Sequence, residues 1–343
     1  MVALEQIRAS NAKIATALRP GLVAVFAGAT SGLGETTLKQ FAKNAVRPRI
    51  YFIGRSIESG KRVRDELVKL NPAGEYNFVS VDVSLLRAVD DVCRKIKAKE
   101  TAINLLFLST GTMLGSKETE EGLNYPVAVT LYARLRFLVN LLPLLQNATD
   151  LRRVVTVLAG TKEGPVDTSD FQCRHMSLMD LAKARGHFSS ILTFALETAA
   201  QKAPNVGFVH AYPGFVKTKF GYDVKGVGAS ILRGIYDVVY PVVGPLFATP
   251  IGEAGERLLF LATSARFSEA GGRTGVPLAE DVAVAKGTDG KSGSGVYSVD
   301  NGGEPGSAKV EQLLGELRTQ GIPQEVWAEV EGEFVRITGT AAV

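Results

Sequence analysis

A chain of 343 residues with an apolar fraction of 45% and a mean hydropathy of only +0.10 can bury a sizeable core. Its net charge of +4 is spread along the sequence, densest at Arg47, Arg49, Lys61, Arg62 and Arg64. With no basic tract and no aromatic stacking pattern, a nucleic-acid partner is excluded, and that basic group reads as a solvated helix face or a contact for a cofactor phosphate. Cys93, Cys173, His175, His187 and His210 have neither metal-ligand spacing nor a disulfide framework, so no metal is expected and the chain reads as a reduced, cytoplasmic protein. Glu5, Arg8 and Lys13 argue against a secretory leader.

Residues 3–18 read as a short amphipathic helix closed by Arg19-Pro20-Gly21. Strand-like runs then appear at 22–27, 49–53, 76–81, 103–108, 153–158 and 206–211, separated by helical stretches at 33–45, 58–70, 85–98, 120–146 and 177–202. Apolar strands alternating with helices predict the α/β class, with one Rossmann-type, doubly wound parallel sheet flanked by helices. An N-terminal helix (1–20) and a C-terminal extension (266–343) packed on the same domain flank the main unit, 21–265. Residues 227–247 are apolar but broken by Arg233, Asp237 and Pro241, short of the about 20 uninterrupted apolar residues a membrane span needs. That stretch reads equally as the roof of a greasy pocket or as core. A helix at 251–264, a Gly- and Ser-rich loop or hairpin with an edge strand at 295–300, and closing helices at 307–319 and 323–336 complete the chain.

Residues 22–34, Leu-Val-Ala-Val-Phe-Ala-Gly-Ala-Thr-Ser-Gly-Leu-Gly, run an apolar strand into a glycine turn. Glycines remove Cβ atoms where backbone must approach a pyrophosphate, and the helix start behind them offers N–H donors. Gly28, Thr30, Ser31, Gly32, Leu33 and Gly34 are the expected cradle. Arg55 ends the second strand where an acidic residue would take a ribose 2′-hydroxyl; a guanidinium suits a 2′-phosphate, favouring NADP over NAD. Asp82 and Val83 end the third strand near an adenine position, and Thr110 and Gly111 follow the fourth.

With these residues in place, the chain resembles the short-chain dehydrogenase/reductase superfamily over about residues 20–265. The resemblance implies that the Gly28–Gly34 turn holds the pyrophosphate and that Asp82 contacts adenine. It implies a nicotinamide-side loop at Pro213, Gly214, Val216 and Thr218, and pairing of two copies into a homodimer through the fourth and fifth helices unless the C-terminal extension blocks it. Blocks such as Glu121-Gly-Leu-Asn124, Val157-Leu-Ala-Gly160 and Ala184-Arg-Gly-His187 resemble a divergent fungal branch. An apolar polyketide or terpenoid carbonyl compound is the substrate class this suggests.

The catalytic groups of that family depart from pattern. There is no tyrosine between Tyr132 and Tyr212. The serine position reads Ala159 and the asparagine position Thr130. The Tyr/Lys pair falls on Met176/Asp180, Met179/Lys183, Ala182/Gly186 or Ala184/Phe188, depending on register. Lys183 and His187, one helical turn apart, are the candidate replacement relay, with Thr130 beside them. Arg134, Tyr132, His210 and the hydroxyls of Ser177, Ser189 and Ser190 are further candidates. Three functions remain open: an NADP-dependent oxidoreductase with an atypical relay, a non-redox cyclase, isomerase or dehydratase on the same fold, and an inactive nucleotide-binding protein.

Overall fold

A computed structural model describes residues 1–112, 117–175, 180–217 and 248–343. Its strands are β1 (Val23–Ala27), β2 (Arg49–Gly54), β3 (Glu75–Ser80), β4 (Leu105–Leu108), β5 (Arg153–Val157), β6 (Gly207–Ala211) and β7 (Val296–Val299). They form one sheet in the order β3-β2-β1-β4-β5-β6-β7, every pair parallel. The expected doubly wound sheet is therefore present. The stretch at 295–300 enters beside β6 as a parallel edge strand, not as a hairpin arm.

The crossover helices cover both faces of the sheet, so apolar residues are needed on both strand faces. Val25, Leu106, Val154 and Phe208 point into one layer, and Phe26, Phe107, Val155 and Val209 into the other. The second layer carries α3 (Gly32–Asn44), α4 (Ile57–Leu70) and α9 (Ile251–Thr263). The expected N-terminal helix is split into α1 (Leu4–Ala12) and α2 (Ile14–Ala17), and α1 docks on α9 through Asn11 Nδ2 to the Glu256 carbonyl at 2.9 Å.

The first layer carries α5 (Leu86–Lys97), α7 (Ala133–Gln146), α8 (Leu181–Lys202), α10 (Ala308–Thr319) and α11 (Ile322–Thr338). The predicted helix at 120–146 starts later, with a short turn α6 (Tyr125–Val127) and a π-turn, Ala128–Tyr132, ahead of α7. Such wide turns re-aim backbone groups: the Val129 carbonyl accepts a 2.9 Å hydrogen bond from Thr110 Oγ1. Glu121, from one of the fungal-type sequence blocks, accepts from the Leu86 and Arg87 N–H groups (2.6 and 3.1 Å) and so caps α5.

The segment Tyr125–Gln146 is the one helix among the described residues long and apolar enough to cross a membrane, and most of it is buried inside the protein. Its inner side meets the sheet and its outer side meets α11, through Phe334 and neighbours. The outer faces of α7 and α8, where a second copy was one expectation, thus carry α10 and α11 of the same chain; Arg318 of α10 forks onto Glu197 of α8 at 2.6 and 3.0 Å.

Candidate active site

The strand order reverses between β1 and β4, which opens a crevice at the carboxyl ends of those strands. The glycine turn lies there. Gly28 has φ +84°, and a Cβ on it would stand 2.6 Å from the Thr110 nitrogen. A Cβ on Gly34 would stand 2.3 Å from the Gly28 carbonyl oxygen. Ser31, exposed, precedes α3 with an extended backbone and no side-chain cap. The first-turn N–H groups of α3 are thus left for an anion, as a pyrophosphate requires. Among the cradle residues named from sequence, the structure brings Gly28, Thr30, Ser31, Gly32, Leu33, Gly34, Thr110 and Gly111 to this one crevice.

Arg55 sits exposed at the tip of β2, its guanidinium 2.7 Å from the Tyr125 hydroxyl. Ser56 caps α4 by accepting from the Ser59 N–H at 3.1 Å, which aims α4 back over the turn. That places Arg62, one turn further on, across Glu35 in a two-point pair (2.7 and 2.8 Å), with its Nη2 3.3 Å from the Thr30 carbonyl. Burial works to raise the Glu35 carboxyl, but hydrogen bonds from Arg62 and Lys39 outweigh it and hold the group below the usual carboxylate range. Sequence spacing gave Arg62 only as one of a basic group; its reach to the turn depends on the crossover of α4. Asp82 is exposed and accepts from the Ser84 N–H at 3.0 Å, while Val83 is buried behind it. Pro213, Gly214 and Val216 follow β6 at the same sheet edge; Thr218 and the segment 227–247 lie outside the described residues.

The sequence profile for short chain dehydrogenases matches residues 22–150. Oxidoreductase AN1596 of Emericella nidulans is 37% identical over 335 residues, covering 96% of this chain and 97% of that protein. Oxidoreductase andH of Emericella variicolor is 35% identical, with 99% of each chain covered. This chain belongs to the short-chain dehydrogenase/reductase family. Like these fungal relatives it is an oxidoreductase of that family, which works with a nicotinamide dinucleotide, and the glycine cradle above fits such a group. Among solved structures, L-sorbose reductase from Gluconobacter frateurii complexed with NADPH shares the fold with a TM-score of 0.51 at 19% identity, over 71% of this chain and 90% of that one.

The replacement relay expected on α8 is not assembled. Lys183 points into solvent, with its ammonium 3.1 Å from Asp180, whereas His187 is buried. Spacing of four puts two residues one turn apart, but this face of α8 passes from solvent to the protein interior within that turn. Both ring nitrogens of His187 are engaged: Nδ1 accepts from the Asp167 N–H (3.1 Å) and Nε2 meets the Phe171 carbonyl (3.2 Å). Gly186 beside it allows backbone contact with Gly164, whose N–H donates to the Gly186 carbonyl at 3.0 Å. The block Ala184-Arg-Gly-His187 therefore clamps the 164–171 loop to α8. Thr130 sits half-buried on the π-turn.

Burial lowers the His187 ring below the usual histidine value. An unfolded histidine takes up a proton below about pH 6.5 while the folded ring resists it, so its contribution to stability is complete above that value and is lost as pH falls. The thermal midpoint of His187→Asn is expected to decline less between about pH 7 and pH 5.5 than that of the parent. Parallel decline in both proteins would reject a neutral ring.

The other candidates are structural as well. Ser189 donates to the Ala159 carbonyl (2.5 Å) and Ser190 to the Gly164 carbonyl (2.6 Å), while Ser177 lies outside the described residues. Tyr132 is buried under α11 with its hydroxyl on Glu329 at 3.3 Å, and burial pushes that phenol up. Arg134 is buried at the ends of β4 and β5, with Nε on the Thr110 carbonyl (2.9 Å) and Nη1 on Thr156 Oγ1 and the Val157 carbonyl (2.9 and 2.8 Å). It stitches the two strand ends together and has no nitrogen left for a substrate; burial pushes it down to about 9. His210 accepts from the Ala159 N–H at Nε2 (3.2 Å) and meets Thr193 Oγ1 at Nδ1 (2.9 Å); burial pushes it down to about 3, so it is held neutral.

Proposed function

We propose that the protein is an NADP-dependent reductase acting on a carbonyl group of an apolar small molecule, of the polyketide or terpenoid kind, with an atypical proton relay. The observation that carries the NADP reading is Arg55 at the tip of β2, in the position where an acidic side chain would meet a ribose 2′-hydroxyl. Arg62, turned onto Thr30 and Glu35, adds a second cation at the same end of the crevice. The NADPH held by the sorbose reductase of similar fold is consistent with this. Gly28, Gly32 and Gly34 would admit the pyrophosphate, Ser31 and Leu33 would present the start of α3, and Asp82 and Val83 would flank the adenine. Thr110 and Gly111 would line the middle of the cofactor, and Pro213, Gly214, Val216 and Thr218 the nicotinamide end. When bound, the nicotinamide supplies a hydride. The chain positions the carbonyl and delivers a proton to its oxygen.

A second reading, a non-redox reaction on the same fold, draws its support from the absence of any tyrosine between Tyr132 and Tyr212. NADPH oxidation by apolar ketones separates the two: turnover of a substrate with no NADPH consumed would sink the reductase. Arg55→Asp is expected to weaken NADPH binding about 30-fold, the loss of one charge-assisted contact, and to leave NADH binding unchanged or improved. Equal losses for both nucleotides, measured by fluorescence titration, would reject the role given to Arg55.

A further inference from the structure

A tyrosine and a lysine meet in space at the carboxyl ends of β5 and β6 although 50 residues of sequence separate Lys162 from Tyr212. Tyr212 continues the β6 ladder by donating its N–H to the Val299 carbonyl at 2.8 Å, and Leu158 continues β5 by donating to the Ala211 carbonyl at 2.9 Å. Tyr212 therefore stands next to Leu158, one residue from Ala159 and directly before the Pro213–Gly214 turn. The ammonium of Lys162 lies over its ring, 5.3 Å from the centroid.

The loop that carries Lys162 is held at every other point. Thr161 has φ +68°, a left-handed conformation that a β-branched residue rarely adopts, and its N–H is fixed on Ser298 Oγ at 2.8 Å. Glu163 is buried: its Oε1 accepts from Ser298 (2.5 Å) and Thr193 (2.8 Å), and its Oε2 has no hydrogen-bond partner among the described residues. The Gly164 N–H reaches Ser190 Oγ at 3.1 Å. Between these anchors Lys162 alone is exposed. Strain and a half-satisfied buried carboxyl persist only where the surroundings over-determine them, and such features concentrate at functional sites.

We propose that Tyr212, with Lys162 over it, is the proton-donating pair of this enzyme, in place of the Tyr-x-x-x-Lys that α8 lacks. The proposal rests on the reductase reading above. As the carbonyl carbon gains the hydride, the C–O π pair moves onto oxygen; that oxygen takes the phenolic proton, so the Tyr212 O–H bond breaks as the alcohol O–H bond forms. The tyrosinate left behind faces the Lys162 cation, and solvent, which reaches Lys162, returns the proton. Tyr212 is the catalytic residue and Lys162 acts through it.

The test uses the full chain, NADPH and phenanthrenequinone as probe ketone, with a second readout that needs neither. Tyr212→Phe should bind NADPH as the parent does, by fluorescence, and lose kcat by about 100-fold or more. In the nucleotide-free parent, tetranitromethane should nitrate Tyr212, read by peptide mass, because the ring is partly exposed, and Lys162→Met should lower kcat about tenfold with the quinone KM unchanged. Lys162→Arg should restore most of the turnover. A Tyr212→Phe or Lys162→Met protein with parental kcat, or a Tyr212 that resists nitration in the parent, overturns the pair. A parent protein that binds no NADPH overturns the reductase reading itself, whereas a parent that binds and turns over beside an unimpaired Tyr212→Phe overturns only the pair.

Discussion

Arg136→Ala is expected to lower the thermal midpoint by roughly 5 °C. Arg136 lies on α7 and is fully buried, forked onto Asp90 of α5 at 2.6 and 2.7 Å. Its Nη1 also donates to the Thr340 and Ala341 carbonyls (3.0 and 2.7 Å), so one guanidinium joins two core helices to the chain beyond α11. Truncation leaves the Asp90 carboxylate buried, with Asn140 (2.8 Å) and the exposed Arg94 (4.0 Å) as its remaining partners among the described residues. Breaking a buried pair from one side costs about 3–5 kcal/mol, far more than the pair adds over an apolar substitute. The double change Arg136→Met with Asp90→Leu should therefore recover most of the loss. Calorimetry reads both, and a fall of less than about 2 °C in the single variant would contradict this account.

Gly34→Ala is expected to weaken NADPH binding about 100-fold while the chain stays folded. The added methyl would meet the Gly28 carbonyl oxygen at 2.3 Å and Ser109 Oγ at 2.5 Å. The serine can turn away, but the carbonyl is backbone of the cradle itself. The start of α3 must then shift by a sizeable fraction of an ångström, and its N–H groups no longer converge on the phosphates. Gly315→Ala on α10, where a Cβ meets nothing within 4 Å, is the matched control and should leave binding unchanged. Unchanged NADPH affinity in Gly34→Ala, by fluorescence titration, would remove the turn from the cofactor site.

Much of this architecture was legible because parallel strands buried on both faces write themselves as continuous apolar runs, and β1 to β6 lie within two residues of where those runs stand. The glycine turn was legible for a similar reason, since it is local in sequence. What local pattern could not carry was the partner of each polar side chain. Lys183 and His187 share spacing but not environment, because only the packing of the 164–171 loop decides which side of α8 is closed. Arg134 reads as a free cation until Thr110 and Val157, from two different strand ends, are seen to consume it. Lys162 and Tyr212 meet only because β5 and β6 are neighbours in register. The π-turn at Ala128–Tyr132 breaks helical period by a single residue, which no apolar count detects.

The cover that α11 lays over α7 also sets an order of assembly. A ribosome releases the hydrophobic Tyr125–Gln146 helix about 180 residues before Ile322–Thr338, the segment that shields its outer side. Throughout that interval the nascent chain displays a stripe resembling a membrane signal, and the Arg136–Asp90 fork waits for the Thr340 and Ala341 carbonyls that complete it. Synthesis halted before residue 322 would leave an aggregation-prone or chaperone-bound intermediate even though all seven strands had already been synthesised.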